Sequence, residues 1–217
     1  MPGAPRCGPG LAAALAVVSA AACGGIPPRP EAPVCEADEV VVVASRADVV
    51  RRASCATLRG LIVRSGAPLD VSGLRALSEV TGDLVIGPTV AVTAVSLGAL
   101  RTVAGAIRVV GNGQLRGLSL PQLERVGRIE IDGNPVLTTA ALPRLQSVRG
   151  ALRITDNAAL EAVDLSALTA VDGDVVVTGA PTLTLIEVPA LAHAAAVELD
   201  APQLLPDLAD RLRAVAR

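Results

Sequence analysis

Phe, Tyr and Trp are absent from all 217 residues, lysine is absent too, and histidine occurs once, at His193. The missing rings exclude aromatic cages for cations and ring-lined ligand pockets. They also remove the stacking platforms on which single-stranded nucleic acids rest. One histidine excludes multi-histidine metal centres and argues against a hydrolytic triad. The 19 basic residues, all of them arginine, face 21 carboxylates, for a net charge of −2. That balance lacks the basic excess of a nucleic-acid binder. Neither a nucleic-acid partner nor a cofactor is expected, and no metal site is assigned. What the chain does have is aliphatic: 51% of its residues are apolar with no ring among them.

The N-terminus reads as an export signal. Arg6 supplies a positive charge ahead of the apolar run 11–22, LAAALAVVSAAA. That length suits the hydrophobic segment of a signal peptide and is too short to span a bilayer. The run closes on Ala20, Ala21 and Ala22, directly before Cys23. Small residues followed at once by cysteine resemble the bacterial lipobox, with Ala20 standing where leucine is usual. The resemblance implies a lipoprotein signal peptide at 1–22, lipidation of Cys23 and a membrane partner reached through that lipid. Plain secretion with cleavage after an Ala-x-Ala site, or a retained helix, are the alternatives. Residues 23–34 are rich in Gly and Pro and hold too few apolar groups to fold, so they read as a semi-extended tether. Gly24 stands where a signal for inner-membrane retention would place Asp. By resemblance to lipoprotein sorting, this implies the outer membrane or cell surface.

With Cys7 inside the signal and Cys23 taken as the lipid site, Cys35 and Cys55 remain. Two cysteines in an exported chain read as a disulfide before they read as a metal site or a nucleophile. In the chain-entropy description, closing a loop of about 20 residues stabilises by roughly 3 kcal/mol.

Residues 35–217 form the folded part, and it is a repeat. Gly82, Gly105, Gly127, Gly150 and Gly173 recur every 22 or 23 residues, and Arg59 serves as an earlier origin. Offsets +2, +4, +10, +15, +18 and +21 from each origin hold Leu, Ile or Val, except at Ala194. The coil from Gly127, for example, gives Ile129, Ile131, Leu137, Leu142, Leu145 and Val148. These three residue types are a minority of the chain, so chance does not fill such a grid. The period is too short for a pair of helices and falls in the range of leucine-rich repeats. Offsets +2 and +4 alternate with polar or small residues, as in a strand. One strand per coil at fixed spacing predicts a parallel β-solenoid, with the other aliphatic offsets pointing inward. Each buried Leu or Val contributes roughly 1.5–3 kcal/mol, and only a stack of coils can bury the whole set.

Offset +7 holds Asn112, Asn134 and Asn157. An inward asparagine at a coil corner can bond to backbone groups of adjacent coils and form a ladder. A row of exposed ligand contacts is the other reading. Both ends depart from the pattern, as terminal repeats should. Residues 40–43 read as a first strand. Ser45-Arg46-Ala47-Asp48 resembles a capping box and opens a short helix through Ala53. Val197 and Leu199 give a last strand. Pro206 starts an amphipathic helix with Leu208, Leu212 and Val215 on one face. Short helical caps are therefore expected at both ends.

The stretch Cys55-Ala-Thr-Leu-Arg-Gly60, followed by copies such as VRGALRITDNAALEAVDLSAL at 148–168, resembles the receptor L domain over about residues 35–199. That family includes the ligand-binding domains of insulin and epidermal growth factor receptors, fungal wall proteins and many bacterial surface lipoproteins. The resemblance implies a right-handed parallel β-helix of the L-domain or leucine-rich-repeat type, an α/β repeat solenoid. It also implies that Cys35 pairs with Cys55. No kinase or cysteine-rich module accompanies the repeats, so receptor signalling is not implied.

The outward strand positions are where a binding face would lie. At offset +3, Arg108, Glu130 and Arg153 form a row of alternating charge, flanked by Arg128 and Asp132. The row is either a polar site for an anionic or polysaccharide ligand, or a solvated face whose charges cancel. Glu130 and Asp132 could serve as the carboxylate pair of a polysaccharide-cleaving solenoid, since alternate strand residues lie about 6.6 Å apart. Coils this short leave no room for an elaborated cleft. The pair Asp172 and Asp174 and the lone His193 read as solvated or edge residues. The expected function is non-catalytic: a cell-envelope lipoprotein whose solenoid is a recognition or adhesion module for a protein or glycan. A purely structural envelope protein and a carbohydrate-active β-helix enzyme are the alternatives.

Overall fold

The spacing of aliphatic residues within one coil dictates how that coil bends. Residues two apart face the same way only in a strand, and residues three apart do so in a single tight turn. In the computed structural model both devices operate in every central coil. Offsets +2 and +4 lie on strands. The pairs at +7/+10 and +15/+18 bracket one-turn hydrogen bonds, as in Leu137 N to Asn134 O at 3.2 Å and Leu145 N to Leu142 O at 3.1 Å. The structure describes Cys35 and residues 38–215. The expected signal peptide, Cys23 and the tether at 23–34 lie outside these residues.

The coils stack into a parallel β-solenoid of about seven turns. A thirteen-stranded sheet runs along it and has two strips. One strip begins at Val40–Val43 and Gly60–Val63 and ends at Leu152–Thr155, Val175–Thr178 and Val197–Leu199. The other includes Glu79–Val80, Ser147–Val148 and Ala170–Val171. The strands Thr102–Val110 and Arg125–Asp132 are long enough to cross both strips. Registers are fixed by the repeat: Leu84 pairs with Ile107, Ile107 with Ile129, Ile129 with Leu152 and Leu152 with Val175. Leu191 alone among the grid positions is only partly buried; every other one, from Leu61 to Ala194, is buried.

A second, five-stranded sheet closes another side of the coil. Its strands are Ala94–Ser96, Gly117–Ser119, Thr139–Ala141, Ala162–Asp164 and Leu185–Glu187. Each sends one residue inward at offset +13: Val95, Leu118, Ala140, Val163 and Ile186. The aliphatic grid omitted this slot.

The periodic glycines owe their place to contact. A β-carbon on Gly127 would stand 2.5 Å from the carbonyl oxygens of Ala104 and Gly105, and one on Gly82 would stand 2.5 Å from Arg59 O. Successive coils touch here backbone to backbone, with Gly105 N bonded to Gly82 O at 3.0 Å and Gly173 N to Gly150 O at 3.2 Å. A different position demands left-handed backbone. At the strand exit, offset +6, Gly111, Gly133 and Gly179 have φ of 68°, 63° and 65°, and Asp156 has φ of 52°.

Helix α1, Arg46–Arg52, starts at Ser45 with the expected capping box. Ser45 Oγ accepts from Asp48 N at 3.3 Å, and Asp48 Oδ2 accepts from Ser45 N at 3.0 Å. The Ser45 hydroxyl that donates to Asp48 is the main reason its carboxyl sits below the ordinary carboxylate range. The helix packs beside the first strand with Val49 buried. A Cys35–Cys55 disulfide joins the segment before that strand to the segment after the helix. Helix α2, Pro206–Val215, packs beside Val197–Leu199 with Leu212 buried and Leu208 and Val215 partly so.

Candidate functional site

Asparagine amides offer one acceptor and two donors, which suits them to bridging coils. Asn112, Asn134 and Asn157 are fully buried. Asn112 Nδ2 donates to Asn134 Oδ1 at 2.9 Å, and Asn134 Nδ2 donates to Asn157 Oδ1 at 3.1 Å. The same oxygens accept backbone N–H groups: Asn112 N at 3.1 Å from Asn134 Oδ1, and Asn134 N at 3.1 Å from Asn157 Oδ1. Asn134 Nδ2 also reaches Val109 O at 2.9 Å, and Asn157 Nδ2 reaches Ile131 O at 2.9 Å. Thr89 Oγ1 joins the N-terminal end of the row by donating to Asn112 Oδ1 at 2.8 Å. The left-handed residue just before each asparagine turns the chain so that this side chain points inward. These amides are consumed by the fold, and among the described residues no buried side-chain N or O lacks a partner.

The outward charge row is in register, with Arg108 beside Glu130 and Glu130 beside Arg153. Only one ion pair forms within it: Arg108 Nε to Glu130 Oε2 at 2.9 Å, with side chains 51% and 28% exposed. At that exposure the pair contributes about 1 kcal/mol or less. Arg153 is exposed and forms no ion pair among the described residues. Asp132 accepts the Thr155 hydroxyl across the strands. Glu130 and Asp132 are therefore each engaged by a neighbouring coil. No group of three or more His, Cys, Asp or Glu side chains among the described residues could hold a metal ion. His193 is exposed in the strand His193–Ala194, beside Ala170.

Several concavities indent the surface of the described residues. Near the N-terminal end, a groove of about 820 Å³ runs between α1 and the coil that follows it, lined by Val49, Val50, Leu69, Arg46 and Arg75. Asp70 lies in this groove, and the Ser72 side chain and backbone N–H, ahead of Arg46 and Arg75, hold its carboxyl below the ordinary range. At the other end, a groove of about 450 Å³ separates Leu185–Glu187 from α2 and is mostly apolar, with Leu185 and Leu205 exposed. A third, about 510 Å³, follows the strip that adjoins the glycine column and is lined by Glu79, Thr102, Val103, Ala104, Arg125, Ser147 and Arg149. Sequence reasoning did not find it. It runs across successive coils at the end of each repeat, where Thr102, Arg125 and Ser147 share one offset from their coil origins.

Comparison with protein-family models, with curated proteins and with solved structures finds no match to this chain.

Proposed function

We propose that the protein is an exported lipoprotein of a bacterial cell envelope whose solenoid, of the receptor L-domain type, is a non-catalytic recognition or adhesion module. Lipid on Cys23 anchors it, residues 23–34 act as the tether, and the outer membrane or cell surface is its place. Helices α1 and α2 cap the two ends of the stack. The disulfide supports an exported address, because such bonds persist in oxidising compartments.

The observation that carries the reading is how each strand divides its residues. Inward positions are aliphatic, or asparagine satisfied by backbone, so the frame is rigid. Outward positions of the central coils present Arg108, Glu130 and Arg153, with Ile62, Val85 and Val176 in the same slot nearer the ends. A rigid frame that repeats polar side chains at about 4.8 Å intervals suits the recognition of an extended partner. Two measurements test it. Metabolic labelling with an alkyne fatty acid should tag the wild-type protein and not Cys23→Ser, which should leave the membrane fraction. Full-length protein in detergent should bind saturably to some member of a combined glycan and envelope-protein array. A protein recovered soluble defeats the anchor; silence across the array leaves a purely structural role.

A further inference from the structure

The recognition reading leaves the place and the ligand open, and the glycine-column groove supplies both. Three arginines border it on adjacent coils. Arg125 and Arg149 line it. The Arg128 side chain lies over Gly150, with Nε 3.8 Å from where a β-carbon on that glycine would stand. Arg149 sits next to Asp172 in sequence register, yet its guanidinium turns the other way. It reaches back across two coils to donate Nη2 to Ala104 O at 3.0 Å, a residue of the groove lining. None of the three forms an ion pair among the described residues. By contrast Arg108 and Arg101 are matched, to Glu130 at 2.9 Å and Glu124 at 3.2 Å.

We infer that this groove binds a linear polysaccharide bearing carboxylates, with Arg125 and Arg149 as the anion contacts, Thr102 and Ser147 as hydroxyl contacts and Arg128 at the rim. The inference rests on the recognition reading. The groove follows the stacking direction, so its occupant is extended. Guanidinium groups present forked donors that match carboxylates. Uncharged sugars are held chiefly on aromatic faces, and this chain has none, so affinity must come from charge and hydroxyls. An acidic peptide adding as a strand would need a free sheet edge. Here the backbone groups are already paired between coils, as in Gly150 N to Gly127 O at 2.6 Å. Glu79 stands at the N-terminal end of the groove and Asp172 follows Arg149 at the other. Those flanking carboxylates disfavour a densely sulfated chain and confine the cationic stretch to a few coils.

The test uses full-length protein in detergent and immobilised polygalacturonate oligomers, with polyaspartate, dextran sulfate and neutral dextran as parallel probes. Polygalacturonate should bind saturably and weaken with added salt. The double variant Arg125→Gln/Arg149→Gln should lose at least about tenfold in affinity, Arg125→Gln alone, which breaks no cross-coil hydrogen bond, should lose part of it at an unchanged melting temperature, and Arg108→Gln should lose none. No polygalacturonate binding, equal binding by the double variant, or equally tight binding of polyaspartate or dextran sulfate would overturn the assignment. An array ligand whose binding is lost with Arg108→Gln/Arg153→Gln instead would sink the groove and leave the recognition reading standing. Silence across the array would sink both.

Discussion

Gly127→Ala adds one methyl group where two coils of the solenoid touch backbone to backbone. The new β-carbon would stand 2.5 Å from two carbonyl oxygens, those of Ala104 and Gly105, and 3.1 Å from the Gly105 carbonyl carbon. All three atoms are backbone, so no side chain can rotate away. Either the coils separate by several tenths of an ångström or the strand Arg125–Asp132 shifts. Both moves strain the register that places Ile129 and Ile131 opposite Ile107 and Val109. Overpacking in a well-packed interior costs typically 1–3 kcal/mol, and the rigidity of the neighbours puts this case near the upper figure. For a domain of this size, that lowers the melting temperature by roughly 5–10 °C. Gly113→Ala is the control, because a β-carbon there meets nothing within 4 Å and the backbone is not left-handed. It should be neutral, or stabilising by a few tenths of a kcal/mol through the unfolded chain. Urea titration of both variants gives the difference. Hydrogen exchange should place the loss in the coils on either side of Gly127, since contacts in a solenoid are between neighbours. Equal midpoints for the two variants would refute the claim that the glycine period records close contact.

Asn134→Asp keeps the size of the side chain and removes both donors to Val109 O and Asp132 O. An ionised carboxylate left buried there should destabilise by several kcal/mol at neutral pH, measured by denaturant titration. Reducing the Cys35–Cys55 bond should speed amide exchange from about residue 38 to residue 80 and leave residues beyond Val126 unchanged; uniform loosening would show that the coils do not act locally. The capping box predicts a pH effect. Because folding lowers the Asp48 pKa from its ordinary 3.8, its contribution is complete above that value and disappears as pH falls through the lower folded value. Stability profiles of wild type and Asp48→Asn should therefore differ above pH 4 and converge in stronger acid.

The strand periodicity and both helices were legible because each rests on spacing alone. Inward residues two apart marked the main sheet, and Ser45 with Asp48 marked the start of α1. The second sheet escaped because its strands are three residues long and each shows a single inward residue. Alternation over three residues has no measurable period, and Ala140 breaks the aliphatic run in that column. The left-handed corner escaped for a related reason. Gly111, Gly133 and Gly179 suggest it, but Asp156 fills the same slot. Glycine also recurred at the coil origin, where it answers to contact. Charge was the least legible layer. Spacing placed Glu130 equally close to Arg108 and Arg153, and only side-chain geometry chose Arg108.

The glycine column is where fold and site become one question. Backbone meets backbone at the glycines, so the groove lies beside the column, along Glu79, Thr102, Arg125, Ser147 and Arg149. The residues flanking the glycines differ from coil to coil: Thr81 and Asp83, then Ala104 and Ala106, Val126 and Arg128, Arg149 and Ala151, Asp172 and Asp174. Position along a solenoid follows position in sequence, so this list gives the charge along the column beside the groove. It is cationic where Arg128 and Arg149 adjoin and acidic at Asp172 and Asp174. The acidity continues beyond: residues 150–215 hold ten carboxylates against three arginines, while residues 82–149 hold seven arginines against four carboxylates. An anionic chain seated at Arg125 and Arg149 is therefore repelled if it extends toward α2. Toward the N-terminus it passes the uncharged Ala104 and Ala106 before meeting Asp83, whose Oδ1 accepts the Ala106 N–H at 2.8 Å, and Glu79, which lines the groove. The cationic stretch is thus bounded by carboxylates at both ends, which limits the bound segment to the few coils around Arg125 and Arg149.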